Sequence, residues 1–525
     1  MMTVPLTGHT VSRRQLLRWG AAGGLLLGVG STTACAGPTG LPGPATLTLA
    51  LNRSLVSLDN KLNQFDAAVT VQRAVRQGLT EIGPDIKPVP VLAERFELTA
   101  PTRWTVTLRK GIQYSDGTPV HIEDVATALK MYEKVQGSFV ASFFPEFPTV
   151  VAKDERTFYL DTERPVPIMD ALMALILITP AKDNKAAELQ TGVGTGPYTV
   201  ESFNRGAGTY SLVRNEKYWG ERPAIERVNV RFLPEESSRV ISLRSGEVDV
   251  IDSISPDSGE QLAGLPGVAI DRASSLRLNQ IFYNFRKPKS HPLSDPKVRR
   301  ALSMAIDGKS LVRDVLMDSV TQAEGVTPSS LFGYSKTGDY VYDPAEAKKR
   351  LTSLGVDKLT LKIIWETGEF PADTSIMEAL SDMYADIGVR TQLQQFEPGG
   401  NILQWRQGKT GDWDLLGNGF SSPTGLAITM LQGMYAGTPA KEKTRDTYQG
   451  YVNEAVAAKI ARAASEVDET RRNQLLAQAQ KAVWDTWPCA WAFVPKSVLA
   501  RRERVDHLAL SSANSYPLSA VTLGA

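Results

Sequence analysis

Apolar and polar residues alternate through Thr46–Leu51 (TLTLAL), which predicts a strand with one face in a core. A three-and-four spacing over 67–79 predicts a helix. The stretch 103–109 (RWTVTLR) predicts a second strand, and Tyr114-Ser115-Asp116-Gly117 a turn. A helix over 121–132 places Glu123 and Asp124 in its first turn, where the helix dipole favours acids. Beyond Thr195 the period returns to two in 198–203, 209–214 and 225–232. A helical stretch over 236–245 stops at Gly246, and a short apolar strand follows at 248–251. Strand 278–285 leads to Ser294-Asp295-Pro296, an acceptor side chain followed by proline, which predicts a helix running to Ala305. Strand 359–365, helix 374–387, strands 390–396 and 414–416, and helices 451–466 and 470–484 complete the pattern. Such mixing of strands and helices predicts α/β lobes with mixed sheets, and no short-period repeat is present.

The first 35 residues fall outside this pattern. Ser12-Arg13-Arg14-Gln15-Leu16-Leu17-Arg18 sets the paired cations Arg13 and Arg14 ahead of an apolar run from Trp19 to Gly30, the arrangement of a twin-arginine export signal. That run is shorter than the ~20 residues a bilayer-spanning helix needs. Thr32-Thr33-Ala34-Cys35 reads as a lipobox, although Thr32 stands where an aliphatic residue is usual. Cys35 would then be diacylated and become the new N-terminus, and 36–45, rich in glycine and proline, a linker. The expectation is an exported protein held by a lipid anchor at the outer face of the cytoplasmic membrane.

Composition narrows the function. A chain of 525 residues exceeds one ordinary core. Lysine and arginine number 58 against 57 acids, so no global field attracts a polyanion and no nucleic acid partner is expected. The two cysteines are Cys35 and Cys489. With the first in the export segment, no disulfide is expected, and Cys489 between Pro488 and Ala490 reads as a buried thiol.

Several stretches, in this order, resemble the family-5 extracellular solute-binding proteins of ABC importers, the oligopeptide, dipeptide and nickel-binding group. They are 104–125 (WTVTLRKGIQYSDGTPVHIEDV), 194–198 (GTGPY), 214–220 (RNEKYWG), 243–249 (LRSGEVD), 292–312 (PLSDPKVRRALSMAIDGKSLV) and 342–354 (YDPAEAKKRLTSL). The resemblance implies a two-lobed, periplasmic-binding-protein-like (class II) α/β fold with mixed sheets and an extra inserted domain. Lobe I would comprise 46–75, 195–275 and 495–525, the inserted lobe II 76–194, and lobe III 276–494. It also implies a monomer that closes over a peptide or peptide-like solute and delivers it to ABC permease and ATPase subunits. Binding of a metal chelate or other small solute, or a receptor or chaperone role without import, is the alternative.

The same resemblance nominates ligand contacts. Asn63 and Phe65 follow Ser57-Leu58-Asp59; Asn279 lies on strand 278–285; Trp365, Glu366, Glu369 and Phe370 belong to the segment that follows the first strand of lobe III; and Asn418, Phe420 and Ser421 stand in a loop after strand 414–416. Peptide-binding relatives carry an aspartate a few residues after the aromatic position, which pairs with the ligand's α-ammonium. Here Ser421, Ser422, Pro423 and Thr424 follow Phe420 instead. A buried ammonium without a countercharge costs several kcal/mol. Either Glu366 or Glu369 supplies that charge, or the ligand has no free α-amine.

Enzyme motifs are weak. Ser294 to Lys297 fits S-x-x-K and Lys336-Thr337-Gly338 fits K-T-G, but K-T-G recurs at Lys409-Thr410-Gly411 and no S-D-N element accompanies them. Walker A, H-E-x-x-H and G-x-S-x-G patterns are absent from the sequence. His9 lies in the export segment, and His121, His291 and His507 sit in scaffold contexts. No catalytic residue, metal or cofactor is expected.

Overall fold

Strand Thr46–Leu51 forms as its alternation requires, sending Leu47, Leu49 and Leu51 into one core and Ala50 into another. The computed structural model describes residues 45–524 apart from 53–57, 59–60, 62–65, 84, 136–137, 139, 184–191, 205, 357, 398–399, 444–446 and 511–515. Among the described residues twelve strands form one mixed sheet. Its order runs Arg390–Phe396, Thr360–Glu366, Leu415–Ser421, Arg277–Tyr283, Cys489–Arg502, Val250–Asp252, Thr46–Leu51, Arg227–Phe232, Thr209–Arg214, Tyr198–Asn204. Val268–Ser274 and Val320–Gln322 pair to Cys489–Arg502 off this path.

The 14-residue strand Cys489–Arg502 joins the two halves of the sheet. Its first half pairs antiparallel with Arg277–Tyr283, its second with Val268–Ser274 and Val250–Asp252. The sequence pattern does not predict this strand, because Pro495 interrupts it and proline cannot donate to a ladder. The structure accommodates Pro495 at the crossing, where its carbonyl accepts the Ser275 N–H at 3.1 Å.

The inserted segment builds its own antiparallel sheet from Ala93–Ala100, Arg103–Leu108, Thr157–Asp161 and Thr149–Ala152. Its apolar residues, from Leu79 to Ile178, belong to the same continuous core as Leu276 to Val494. Among the described residues no helix is long and apolar enough to cross a membrane.

Stretches that carry the resemblance act as joints. Gly117 takes φ +92 in its turn, and the Ser115 N–H donates to the Gly194 carbonyl at 2.9 Å. A Cβ on Gly194 or Gly196 would collide with the backbone of Val75 or Ala74. The predicted helix 67–79 stops at Val75 for the same reason. The Val75 carbonyl accepts the Gly196 N–H at 2.9 Å instead of continuing the helix, so the observed span is Asp66–Val75. Asp295 caps Pro296–Met304 by accepting the Lys297 N–H at 2.8 Å. The Ser294 hydroxyl is engaged with the carbonyls of Lys289 (2.8 Å) and His291 (2.7 Å), which leaves S-x-x-K as a turn and not a nucleophile.

One half-buried acid makes the packing of the inserted segment sensitive to pH. Asp170, in Met169–Met173, has its pKa pushed up to about 6 by burial, with the Ala171 N–H and the Arg472 guanidinium opposing the shift. The folded state therefore binds this proton more tightly than the unfolded state does. Stability is highest below the unfolded value of 3.8 and falls as pH rises toward about 6. The loss is about 2–3 kcal/mol. Asp170→Asn is expected to remove that slope and to stabilise the protein at pH 7. Denaturant titrations at several pH values check it, and an unchanged slope would contradict it.

Candidate ligand-binding site

The strands Arg277–Tyr283 and Leu415–Ser421 pair antiparallel, with Arg277 opposite Ser421, Leu278 opposite Phe420, Asn279 opposite Gly419 and Gln280 opposite Asn418. Successive side chains of a strand alternate between faces. Arg277, Asn279, Gly419 and Ser421 therefore share one face, and Leu278, Gln280, Asn418 and Phe420 the other. This corrects the expected loop: Asn418, Phe420 and Ser421 lie within a strand that continues well past Leu416. The Gly417 and Gly419 that suggest a loop lie against side chains of neighbouring elements. A Cβ at Gly417 would collide with the Met377 side chain, and one at Gly419 with the Asn279 side-chain oxygen.

On the first face, strand Thr360–Glu366 runs parallel to Leu415–Ser421, but their pairing ends at Trp365 opposite Gly417. Beyond that point the Gly419 N–H is shared by the carboxylate of Glu369 (3.2 Å) and the side-chain oxygen of Asn418 (2.6 Å). Glu369 is also ion-paired with Arg277, whose Nε donates to Asn279 Oδ1 at 2.9 Å. The turn that delivers Glu369 is fixed by Gly368 at φ +78, whose N–H donates to Asp373 Oδ2 at 2.6 Å. Trp365 is 3 % exposed, and its indole N–H has no hydrogen-bond partner. Phe370 is buried edge-on against Phe493, with ring centroids 5.4 Å apart. Glu366, half-buried, ends its strand and alternates to the face opposite Trp365.

On the second face, Phe420 meets Phe143 of the inserted segment at 6.1 Å and Tyr448 at 5.3 Å, both edge-to-face. A Cβ on Gly433 would collide with its ring. Tyr448 donates its hydroxyl hydrogen to the Gly419 carbonyl at 3.1 Å. Burial raises its pKa, with the nearby Arg406 and Arg277 opposing the shift. The sequence reading missed Tyr448. The available signal was Gln449-Gly450, two consecutive left-handed residues at φ +55 and +77, which form a tight turn beside it. Arg286 anchors this segment through Glu442 (2.9 Å) and the Thr447 carbonyl (2.9 Å). Asn418 is buried in the same strand. The segment that lacks an aspartate folds upon itself: the Thr429 hydroxyl lies 2.8 Å from Ser422 Oγ and 2.7 Å from Thr424 Oγ1.

Asn63, Phe65, Cys35, Arg13 and Arg14 lie outside the described residues. The remaining histidines stand apart. His121 caps Ile122–Lys134; His291 accepts the Leu293 N–H at Nδ1 (3.2 Å) and has its pKa lowered by burial; His507 lies 3.0 Å from Thr522. Among the described residues no three histidine, cysteine or acidic side chains are grouped to hold a metal ion. Cys489 is buried 3.1 Å from the Tyr340 hydroxyl, and its thiol is pushed up to about 12 by desolvation, the state of an inert core thiol. The residues gathered at the two strand ends supply fixed donors, acceptors and aromatic surface, the means of holding a polar solute.

The model of the bacterial extracellular solute-binding proteins, family 5, middle region, matches residues 87–442. A probable D,D-dipeptide-binding periplasmic protein of Escherichia coli K12 is 27% identical over 417 residues, covering 77% of this chain and 78% of that protein. A glutathione-binding protein of Salmonella typhimurium is 24% identical over 459 residues, 85% of this chain and 88% of that protein. The solved dipeptide-binding protein of a Pseudoalteromonas species, in complex with Met-Leu, superposes with a TM-score of 0.80 at 18% identity, covering 91% of this chain and 100% of that one. A nickel-binding relative from Campylobacter jejuni, in complex with Ni(L-His), gives 0.79 at 18% identity, covering 91% and 99%. With its middle two-thirds matched and the two-lobed architecture shared, this chain belongs to the family-5 bacterial extracellular solute-binding proteins.

Proposed function

We propose that this chain captures a peptide or peptide-like solute by lobe closure and delivers it to an ABC permease and its ATPase subunits, leaving the solute's covalent bonds intact. The observation that carries this reading is the open end of strand Leu415–Ser421. Strand Thr360–Glu366 stops pairing at Trp365, and beyond it the Gly419 N–H is met by side chains alone. A bound peptide can add there as a further strand by replacing the side chains of Asn418, Glu369 and Tyr448 on the Gly419 N–H and carbonyl, with main-chain bonds giving affinity and adjacent side chains giving selectivity. The names of the sequence relatives, which bind dipeptides and glutathione, support the same class.

In this reading lobe I comprises 46–75, 195–275 and 495–525, lobe II 76–194 and lobe III 276–494. The hinge lies where Ser275 and Pro495 cross, and the contact of Phe143 with Phe420 is made as the lobes close. Asn63 and Phe65 are further candidate contacts of the solute, and the protein acts as a monomer. A metal carried inside an organic chelate is the second reading, supported by the missing aspartate and by the Ni(L-His) complex of a structural neighbour. Mass spectrometry of the solute released from natively purified protein tests both readings. An intact peptide-like molecule supports the first, a metal chelate the second, and a chemically converted product would overturn both.

Twin-arginine export and lipidation at Cys35 place the protein at the outer face of the membrane. Cys35→Ala is expected to release it into the medium or periplasm, as membrane fractionation would show; continued membrane retention would refute the anchor.

A further inference from the structure

We infer that the solute presents a hydrogen-bond acceptor, and not a free α-ammonium, to the corner formed by Arg277, Asn279 and Glu369. This inference rests on the peptide-binding reading and narrows it to peptides whose amine end is blocked or absent.

The two acids that could receive an ammonium are both disposed against it. Glu366 alternates to the sheet face opposite Trp365, away from the face that carries Asn279 and Arg277. Glu369 lies on the correct side, but Arg277 already neutralises it, and the oxygen that pairs with Arg277, Oε1, also accepts the Gly419 N–H. A ligand cation approaching that carboxylate would meet the Arg277 guanidinium, and like charges in a cleft sheltered from water repel.

Arg277 is built into this corner. Its Nε is held by Asn279 Oδ1 at 2.9 Å, and it lies across Gly419, where any Cβ would crowd Nε and Cζ at 2.5 and 2.7 Å. Only glycine at 419 leaves room for the guanidinium to bridge Asn279 and Glu369.

Apart from the second oxygen of the neutralised Glu369, the polar groups left over are donors. Asn279 spends its oxygen on Arg277 and so offers its amide hydrogens. Arg277 uses Nε and Nη2 internally and offers Nη1. A buried donor without an acceptor is costly, and a carbonyl or N-acyl oxygen from the solute would satisfy it. A corner of surplus donors around a neutralised acid selects an acceptor and rejects an ammonium.

The test uses the full mature chain, stripped of copurifying solute, and one pool of short peptides in two forms: free at the N-terminus and N-acetylated. Calorimetry and mass spectrometry of retained species read both forms. The wild type is expected to hold acetylated peptides at least about tenfold more tightly than the same sequences with a free amine. Arg277→Gln, which leaves Glu369 as an unpaired carboxylate, is expected to shrink or reverse that preference. Should this variant not fold, Glu369→Gln reads the same point from the other side, since it leaves the cation unopposed and is expected to widen the preference. Wild type binding free-amine peptides as tightly as acetylated ones would overturn the inference and leave the peptide reading standing. Retention of neither form by any of the proteins would overturn the peptide reading, and this inference with it.

Discussion

Arg299→Met is expected to destabilise the protein by about 3–5 kcal/mol, measured as a lowered midpoint and free energy of chemical denaturation. Arg299 is 4 % exposed and donates to four backbone carbonyls, those of Leu293 (2.7 Å), Ser294 (3.1 Å), Thr486 (3.1 Å) and Trp487 (3.0 Å). Its guanidinium thereby fastens the start of Pro296–Met304 to the end of Glu469–Trp484, two helices far apart in sequence. Methionine fills the volume but leaves those carbonyls without a donor, and each unsatisfied buried group costs roughly 1–3 kcal/mol. Lysine keeps the charge without the planar fork, so Arg299→Lys should fall between the two. A loss under about 1 kcal/mol for Arg299→Met would show that water reaches these carbonyls and that the clamp is dispensable.

Phe420→Ala is expected to cost about 3–5 kcal/mol of stability and to weaken solute binding by at least about tenfold. The ring is 8 % exposed, with Phe143 and Tyr448 edge-on against it and Gly433 cut back to admit it. Alanine leaves a void where the inserted segment meets the end of Leu415–Ser421, so it loosens the fold and the contact between segments together. Phe420→Leu, which retains much of the apolar volume, should recover most of the stability and less of the affinity. Titration calorimetry with the released solute separates the two effects. Full affinity in a destabilised Phe420→Ala protein would make the ring core alone.

The regular elements were legible because one-sided burial writes a period into the chain. Thr46–Leu51, Thr209–Arg214 and Glu236–Ser245 follow their pattern residue for residue. The failures have physical causes. Cys489–Arg502 is buried on both faces over its first half and carries Pro495, so neither alternation nor composition marks it as a strand. Gly417-Asn418-Gly419 carries turn composition inside a strand, with Met377 lying against Gly417 and Arg277 against Gly419 where side chains would stand. The end of helix Asp66–Val75 is set by Gly196, more than a hundred residues away, and local propensity holds no trace of it. At the candidate site the residue types were legible, but their distribution over two faces was not. Face assignment depends on the register between Arg277–Tyr283 and Leu415–Ser421, and the pairing of Arg277 with Glu369 depends on that register too.

The central claim is that two α/β bodies shut around a small solute and return it unaltered. Small-angle X-ray scattering on the stripped protein, before and after its own released solute is added back, tests this most directly. The account predicts a smaller radius of gyration with solute and recovery of that solute with its mass unchanged. Identical scattering curves at saturating solute, or a solute converted to another species, would contradict it.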